Sequence, residues 1–403
     1  MTISAVIKDS SLTAWLAGFL AVLISYSGPL VIVFYAAQSA NISSELLASW
    51  IWAISIGAGL TGIYLSWRYK VPIITAWSAP GTALLVTLFP GISISDVVGS
   101  YICAAVAIFI IGITGSFDWL IKKIPKGIAA GMLAGILFQF ALNAFKVIAI
   151  MPMLSLAMMT AYLFAKRLYP KYLIVIVFST GIVVLGLSGS LNDLTDIYPT
   201  ITSPIYTQPS LTVASFFSFT LPLILVSLTG QFLPGMSILK MAGYHTDAKP
   251  IMAATSVTSI FTALFGGITT VIAAITAAIC TGKDAHINPE KRYIAGIANG
   301  VFYLLGGIFA STIVAVFAKV PPTFIAVLAG LALLSGITTN LSIAIEDQTQ
   351  RDSAVITFLV TVSGMTLLGI GSAFWGIVFG LAAHYIFSYR NQLDKKLSEM
   401  KEK

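Results

Sequence analysis

Two short stretches concentrate the side chains that could do chemistry in an otherwise apolar chain. The first, 74-ITAWSAPGTALL-85, gathers Trp77, Ser78, Pro80, Gly81 and Thr82. The second, 268-ITTVIAAITAAI-279, carries Thr269, Thr270, Ala273 and Thr276. Proline and glycine interrupt a helix, and a fresh helix start has N–H groups without intrahelical acceptors. Hydroxyls beside such a positive helix end suit an anionic group. Gln231, within 227-SLTGQFLPGMS-237, adds an amide that brings no negative charge, and Tyr26 and Trp77 offer flat apolar surface for a ring. The chemistry indicated is therefore the binding of a small anion. Bond making is not indicated: there is no H-E-x-x-H, no paired intramembrane aspartate and no Cys–His pair. No cofactor and no metal is implied, and Cys103 and Cys280 read as small core hydrophobes.

The elements that position these residues are set by composition. Of 403 residues, 58% are hydrophobic and 9% charged, against about 25% charged in soluble domains. This is an all-α integral membrane protein. The net charge of +7 does not indicate nucleic acid, because the basic residues are scattered in short gaps between apolar runs. The N-terminus has no charged region and cleavage site of the secretory kind. A span needs about 20 apolar residues, and fourteen candidates follow. The first seven lie near 12–36, 45–67, 72–90, 95–117, 126–145, 148–165 and 172–190. The second seven lie near 213–238, 250–266, 267–282, 293–316, 321–343, 353–369 and 371–389. The longest polar connection, within 191–210, is an outer loop, and 391–403 is a cytoplasmic tail. With both termini inside, nineteen of the 22 basic residues fall on the inner side, leaving Lys146, Lys319 and Arg351 outside.

The two polar stretches also match each other. Ile74, Thr75, Ala79, Thr82 and Ala83 recur as Ile268, Thr269, Ala273, Thr276 and Ala277. Tyr101-Ile102, Gly115 and Phe117 recur as Tyr293-Ile294, Gly307 and Phe309, and 124-IPKGIAAGMLAGI-136 resembles 320-VPPTFIAVLAGL-331. The offsets stay between 192 and 196. Two seven-span repeats follow, residues 1–190 and 211–390, and the odd span number inverts the second. Spans three and ten are the interrupted pair, extended over about 72–78 and 267–272 and helical after, with their helix starts facing each other in mid-membrane. Gly28-Pro29, Pro80 and Pro234-Gly235 mark breaks or hinges beside the same spot.

Three stretches carry a family resemblance: 72-PIITAWSAPGTALL-85, 273-AAITAAICTGKDAHINPEKRYIAGIANGVFYLLGG-307 and 351-RDSAVITFLVTVSGMTLLGIGSAFWGIVFG-380. In these the chain resembles the BenE-type benzoate:proton symporters, themselves similar to nucleobase and sulfate carriers. The resemblance implies import of a benzoate-like carboxylate together with H+ across the inner membrane. It also implies a core domain of spans 1–4 and 8–11 (about 12–117 and 213–316) moving against a gate of spans 5–7 and 12–14 (about 126–190 and 321–389), and gate-domain dimers are common among such carriers. The chain departs from the family pattern at Ile268 and Val271, where His and Asn are frequent, and at Gly28-Pro29, where small hydroxyl residues are expected. These departures bear on substrate and coupling ion. No acidic residue maps to mid-membrane; Glu346-Asp347, at the end of span twelve, is the candidate titrating cluster, and the alternative is a proton carried by the substrate itself. An anion channel, uniporter or exchanger on the same scaffold, and then a nucleobase symporter, are the other readings.

Overall fold

The computed structural model describes residues 3–189 and 197–401; residues 191–196 of the predicted outer loop and the last two of the tail lie outside the described residues. The first half contains α1 (Ile3–Asp9), α2 (Leu12–Ser27), α3 (Pro29–Ser39), α4 (Ser44–Tyr69), β1 (Thr75–Trp77), α5 (Ala79–Leu88), α6 (Ile94–Thr114) and α7 (Phe117–Lys123). It continues with α8 (Lys126–Lys146), α9 (Pro152–Leu168) and α10 (Leu173–Leu187). The second half contains α11 (Val213–Ser215), α12 (Leu221–Ser227), α13 (Leu233–Met241), α14 (Ala248–Ala263), β2 (Thr270–Ile272) and α15 (Ile275–Thr281). It closes with α16 (Tyr293–Ile308), α17 (Ala310–Ala318), α18 (Pro322–Glu346), α19 (Arg351–Val362) and α20 (Ser372–Lys401). Among the described residues, seven helices are long and apolar enough to cross a membrane, and α16 with α17 forms an eighth if taken together across a 67° bend.

Serine and proline set many of the boundaries. Ser11, Ser43, Ser78 and Ser93 each accept a hydrogen bond from an amide in the first turn of α2, α4, α5 and α6, the contact that favours hydroxyl residues there. Gly28 separates α2 from α3, and Pro29 begins α3, where its missing N–H costs nothing. Between α11 and α13 the chain makes two π-helical turns, Phe216–Thr220 and Leu228–Phe232. Neither π-turn is legible in the sequence.

The two interrupted stretches meet. β1 and β2 pair antiparallel, with Thr75 opposite Ile272, Ala76 opposite Val271 and Trp77 opposite Thr270. The ladder extends at both ends, by Ser78 N to Thr269 O (3.0 Å) and Ala273 N to Ile74 O (2.8 Å). An extended segment cannot satisfy its own amides, and in hydrocarbon no water would do it; here each supplies the other. α4 backs the pair. Thr75 Oγ1 donates to Ala58 O (2.7 Å). A side chain at Gly57 or Gly62 would put a Cβ within 3 Å of the Thr270 or Thr75 hydroxyl.

Arg351, tallied with the outer residues, lies between spans twelve and thirteen, in a connection that alternation from an inner N-terminus itself puts on the inner side. Gly127 N, at the start of α8, donates to Gln350 Oε1 in the turn before α19 (3.1 Å). Arg351, the next residue, therefore lies at the same end of the bundle as Lys126.

Gly266, in the turn leading to β2, has φ +81°, and a Cβ there would lie 1.9 Å from Trp50 Cδ1. Gly266→Ala should cost about 2–4 kcal/mol, combining a left-handed backbone penalty with overpacking. Gly115, at φ +71° with open space around it, supplies the control: Gly115→Ala should lose only the backbone part, about 1–2 kcal/mol. Thermal unfolding of the detergent-solubilised variants, read against wild type, checks the ranking.

Candidate functional site

A cavity of about 220 Å³ lies where the two strand–helix joints meet. One wall comes from Ser25, Pro29 and Ile32 of α2 and α3, from Trp77, Ala79 and Pro80 at the β1–α5 joint, and from Ala273, Ala274 and Thr276 at the β2–α15 joint. Gly230 and Gln231, in the second π-turn, complete that wall. The facing wall comes from Leu133 and Leu137 of α8, Ile174 of α10, and Ser335, Gly336 and Asn340 of α18. An apolar cavity of about 150 Å³ can hold benzene, so this space admits one ring and a small polar group.

Trp77 is 2% exposed and forms the aromatic floor, its ring 6.2 Å from Tyr26 and 5.9 Å from Tyr303 between centroids. Tyr26 sits behind Trp77, and its hydroxyl pairs with Ser55 Oγ at 2.7 Å. The Trp77 Nε1 donor is buried with no acceptor among the described residues. Thr276, 5% exposed, lines the cavity, and its hydroxyl makes no hydrogen bond with described residues. Gln231 likewise presents an amide with no intramolecular hydrogen bond among them. A π-turn widens the helix by one residue and commonly occurs at functional sites; here it carries Gly230 and Gln231 on the cavity wall.

The two helix starts are not equivalent. At α5 the Ser78 hydroxyl accepts from Gly81 N (3.2 Å), Pro80 has no N–H, and Thr82 N and Oγ1 both donate to Ser78 O. Ala79 alone keeps a free first-turn amide there. α15 has no side-chain cap at Ala274. Thr82 lines a separate small void with Trp50, Tyr101 and Ile268. Thr269 and Thr270 are buried away from the cavity with unpaired hydroxyls. A Cβ on Gly81 would meet Leu223 Cδ1 at 2.5 Å, and one on Gly235 would meet Ile272 Cγ2 at 2.7 Å; both glycines, with Pro234 beside the second, serve packing around the strands. Ile268 and Val271, the two departures from the family pattern, are also absent from the cavity wall.

Glu346 and Asp347 are exposed at the end of α18 and do not line the cavity. The Asp347 carboxylate accepts from Thr349 Oγ1, Thr349 N and Gln350 Nε2, and these bonds, those from Thr349 first, hold its carboxyl below the usual range. The sequence reading named no residue on the facing wall. The signal was present in 335-SGITTN-340, a polar run inside the otherwise apolar α18.

Behind α15, Arg292 is 6% exposed and has no carboxylate partner among the described residues. Its guanidinium donates to the carbonyls of Thr281 (2.8 Å), His286 (2.8 Å) and Ile287 (3.4 Å). Thr281 is the last residue of α15, so the cation caps the end of the short helix that carries Thr276. At the rim of the same loop, Asp284 pairs with Lys171 at 2.6 Å, and that lysine holds the exposed carboxyl below its usual range.

Comparison with known proteins places this geometry in context. The family described as benzoate membrane transport protein (BenE) matches residues 8–386. A benzoate membrane transport protein of Acinetobacter baylyi is 56% identical over 379 residues, covering 94% of this chain and 96% of that one. The inner membrane protein YdcO of Escherichia coli is 39% identical over 373 residues, covering 93% and 95%. Among solved structures, SLC26A9 superposes with a TM-score of 0.63 at 14% identity over 95% of this chain, which spans 66% of that chain's length. The transmembrane domain of the cyanobacterial bicarbonate transporter BicA gives a TM-score of 0.57 at 14% identity, covering 93% and 96%. The fold is shared with both.

Arg292→Gln should lower the unfolding midpoint, because a lost charged donor is worth about 1.5–3 kcal/mol and three carbonyls lose theirs. Arg292→Lys should recover only part, since one ammonium cannot span the same fork. Differential scanning fluorimetry of the three proteins checks the order wild type, Lys, Gln.

Proposed function

Because the chain belongs to the benzoate membrane transport family, we propose that it is a secondary active transporter that moves a benzoate-like aromatic carboxylate, together with protons, across the inner membrane. In this reading the chain crosses the bilayer fourteen times as two inverted seven-span repeats with both termini cytoplasmic. β1–α5 and β2–α15 are spans three and ten, each half extended and half helical. The core comprises spans 1–4 and 8–11, and the gate comprises spans 5–7 and 12–14.

The observation that carries the reading is the composition of the cavity. Its first wall is built wholly from core elements and its facing wall wholly from α8, α10 and α18 of the gate. A rigid movement of gate against core would open such a space to one side and then the other. The chemistry of the walls suits a single ring bearing a carboxyl group. Trp77, Leu133 and Leu137 offer apolar surface, while Thr276 and Gln231 offer unpaired polar groups on the core side. The relatives named as transporters favour transport over catalysis, and the 56% identity to a benzoate membrane transport protein favours benzoate among carboxylates. The anion-transporter neighbours, at 14% identity, support the fold and leave the substrate to the cavity.

Two measurements test this. Benzoate should stabilise the purified protein against heat, and its uptake into proteoliposomes should rise with an inward proton gradient; neither effect across a range of small carboxylates would sink the reading. Thr276→Val and Gln231→Leu should each raise the dissociation constant roughly ten- to hundredfold, the equivalent of about 1–3 kcal/mol for a buried polar partner lost. Thr82→Val, in the separate void, should leave it unchanged.

A further inference from the structure

We propose that the proton crosses the membrane on the substrate's own carboxyl group, so that the cavity takes an aromatic carboxylic acid in its neutral form. This rests on the preceding reading, that the cavity holds an aromatic carboxylate's ring and carboxyl group, and it names the protonation state in which they bind.

The wall that contacts the substrate is built of apolar and neutral polar side chains. On the elements that line the cavity every titratable group sits at a helix end or is paired elsewhere. Beside them, Lys171 is paired with Asp284, and Arg292 is held by three carbonyls. Tyr303, whose hydroxyl has no partner among the described residues, packs against Trp77 without lining the cavity. β1, β2, α5, α10 and α12 carry none in their sequences. On α8 the only ones are Lys126 and Lys146, its first and last residues, and on α18 Glu346 is the last. α13 has Lys240, next to its end. Tyr26 of α2 is paired with Ser55, Tyr35 of α3 with Asn143, and Cys280 of α15 with Ala17 O. A carboxylate enclosed here would face no lysine, arginine or histidine among the described residues, and enclosing an unpaired charge is the costliest form of burial.

Gln231 supplies the positive half of the argument. A primary amide holds one donor and one acceptor side by side, the complement of a carboxylic acid. The acid O–H can donate to Gln231 Oε1 while Gln231 Nε2 donates to the acid carbonyl. A carboxylate has no proton for the first bond and would set its oxygen against Oε1. The Thr276 hydroxyl and the uncapped first turn of α15 serve a carbonyl oxygen equally well.

The balance closes without a protein carrier. On the entry side one proton and one carboxylate form the O–H bond. The neutral acid crosses, and on the exit side that bond breaks and returns one proton and one carboxylate. Each turnover moves one proton, one substrate and no net charge. At neutral pH only roughly one molecule in a thousand of an ordinary carboxylic acid carries its proton, so affinity quoted on total ligand must depend steeply on pH.

The test is binding by the full chain in lipid nanodiscs, with benzoate and ring-substituted benzoates of different acidity, between pH 5 and 8. The apparent dissociation constant should rise about tenfold per pH unit, and the whole curve should slide along the pH axis with the acidity of each ligand. Benzamide, an uncharged amide of the same shape, should bind with the same dissociation constant at every pH. Uptake into proteoliposomes should be unaffected by a potassium–valinomycin potential. A pH-independent constant, a pH dependence identical for all ligands whatever their acidity, or uptake driven by the potential would each overturn the inference while leaving the carboxylate reading standing. Absence of binding by every ligand at every pH would instead remove the carboxylate reading, and this inference with it.

Discussion

The backbone ladder between β1 and β2 is the constraint from which the rest of the architecture follows. Each strand follows a helix-breaking approach and precedes a short helix, so each carries a run of amides that a membrane interior cannot hydrate. Three residue pairs and two flanking bonds, Ser78 to Thr269 and Ala273 to Ile74, satisfy them mutually. Among the described residues neither strand pairs with a third. The two halves of the chain are therefore joined at their least self-sufficient point. α4 and α14 close the back of the pair through Thr75 Oγ1 to Ala58 O and Thr270 N to Ser259 Oγ. What remains open is the front, and the cavity occupies it.

A ladder of this kind also fixes how the joints present themselves. Antiparallel strands send α5 and α15 in opposite directions from one locus, so the joints at Ala79 and Ala274 border one space. The symmetry ends there. Ser78 and Pro80 close the first joint by capping and by removing a donor, whereas nothing comparable covers Ala274. Arg292 adds to the difference by holding the far end of α15 through three carbonyls. One repeat thus contributes a closed, aromatic side with Trp77, and the other a polar side with Thr276. A ligand with one apolar and one polar end has a defined orientation between them.

Much of the fold was legible because the physics that shapes it is local and periodic. Apolar runs of span length, the positive residues between them, and the match of 74–85 with 268–279 each follow from a requirement that the sequence must meet on its own. The breaks at Gly28-Pro29 and at Ser78-Ala79-Pro80 were legible for the same reason, since proline and glycine act on the chain where they stand. The site was legible only in outline. Trp77, Ala273, Thr276, Gln231, Pro29 and Pro80 line the cavity, but Thr82 and Thr270 do not, because strand alternation and back-bonding decide which hydroxyl faces inward. The wall from α8, α10 and α18 is hardly legible, since its residues reach the cavity only through tertiary placement. Ser335 and Asn340 could have been noticed as polar residues in an apolar helix; Leu133, Leu137 and Ile174 could not. The π-turn that presents Gln231 has no sequence signature comparable to a proline.

The contrast between the two walls bears on how such a cavity could serve transport. The first wall is built on the ladder, its backing helices and a short helix held at its end by Arg292, which carry Trp77 and Thr276, with Gln231 beside them in the π-turn. Polar contacts between the facing side of the bundle and the elements around the ladder include Tyr35 with Asn143 of α8, Ser218 with Gly371 N just before α20, and the exposed Lys171–Asp284 pair just before α10. An exposed pair of that kind contributes little to stability, so under the proposed movement of the walls it would break and re-form at small cost. In the proposed mechanism the polar groups of the first wall would stay fixed on one body while access changes on the other. An arrangement that kept recognition on the moving wall would have to rebuild its hydrogen bonds in every cycle, and the polar groups left unpaired meanwhile would add to the barrier. Under the proposed mechanism, having Gln231 and Thr276 on the ladder side would avoid that cost.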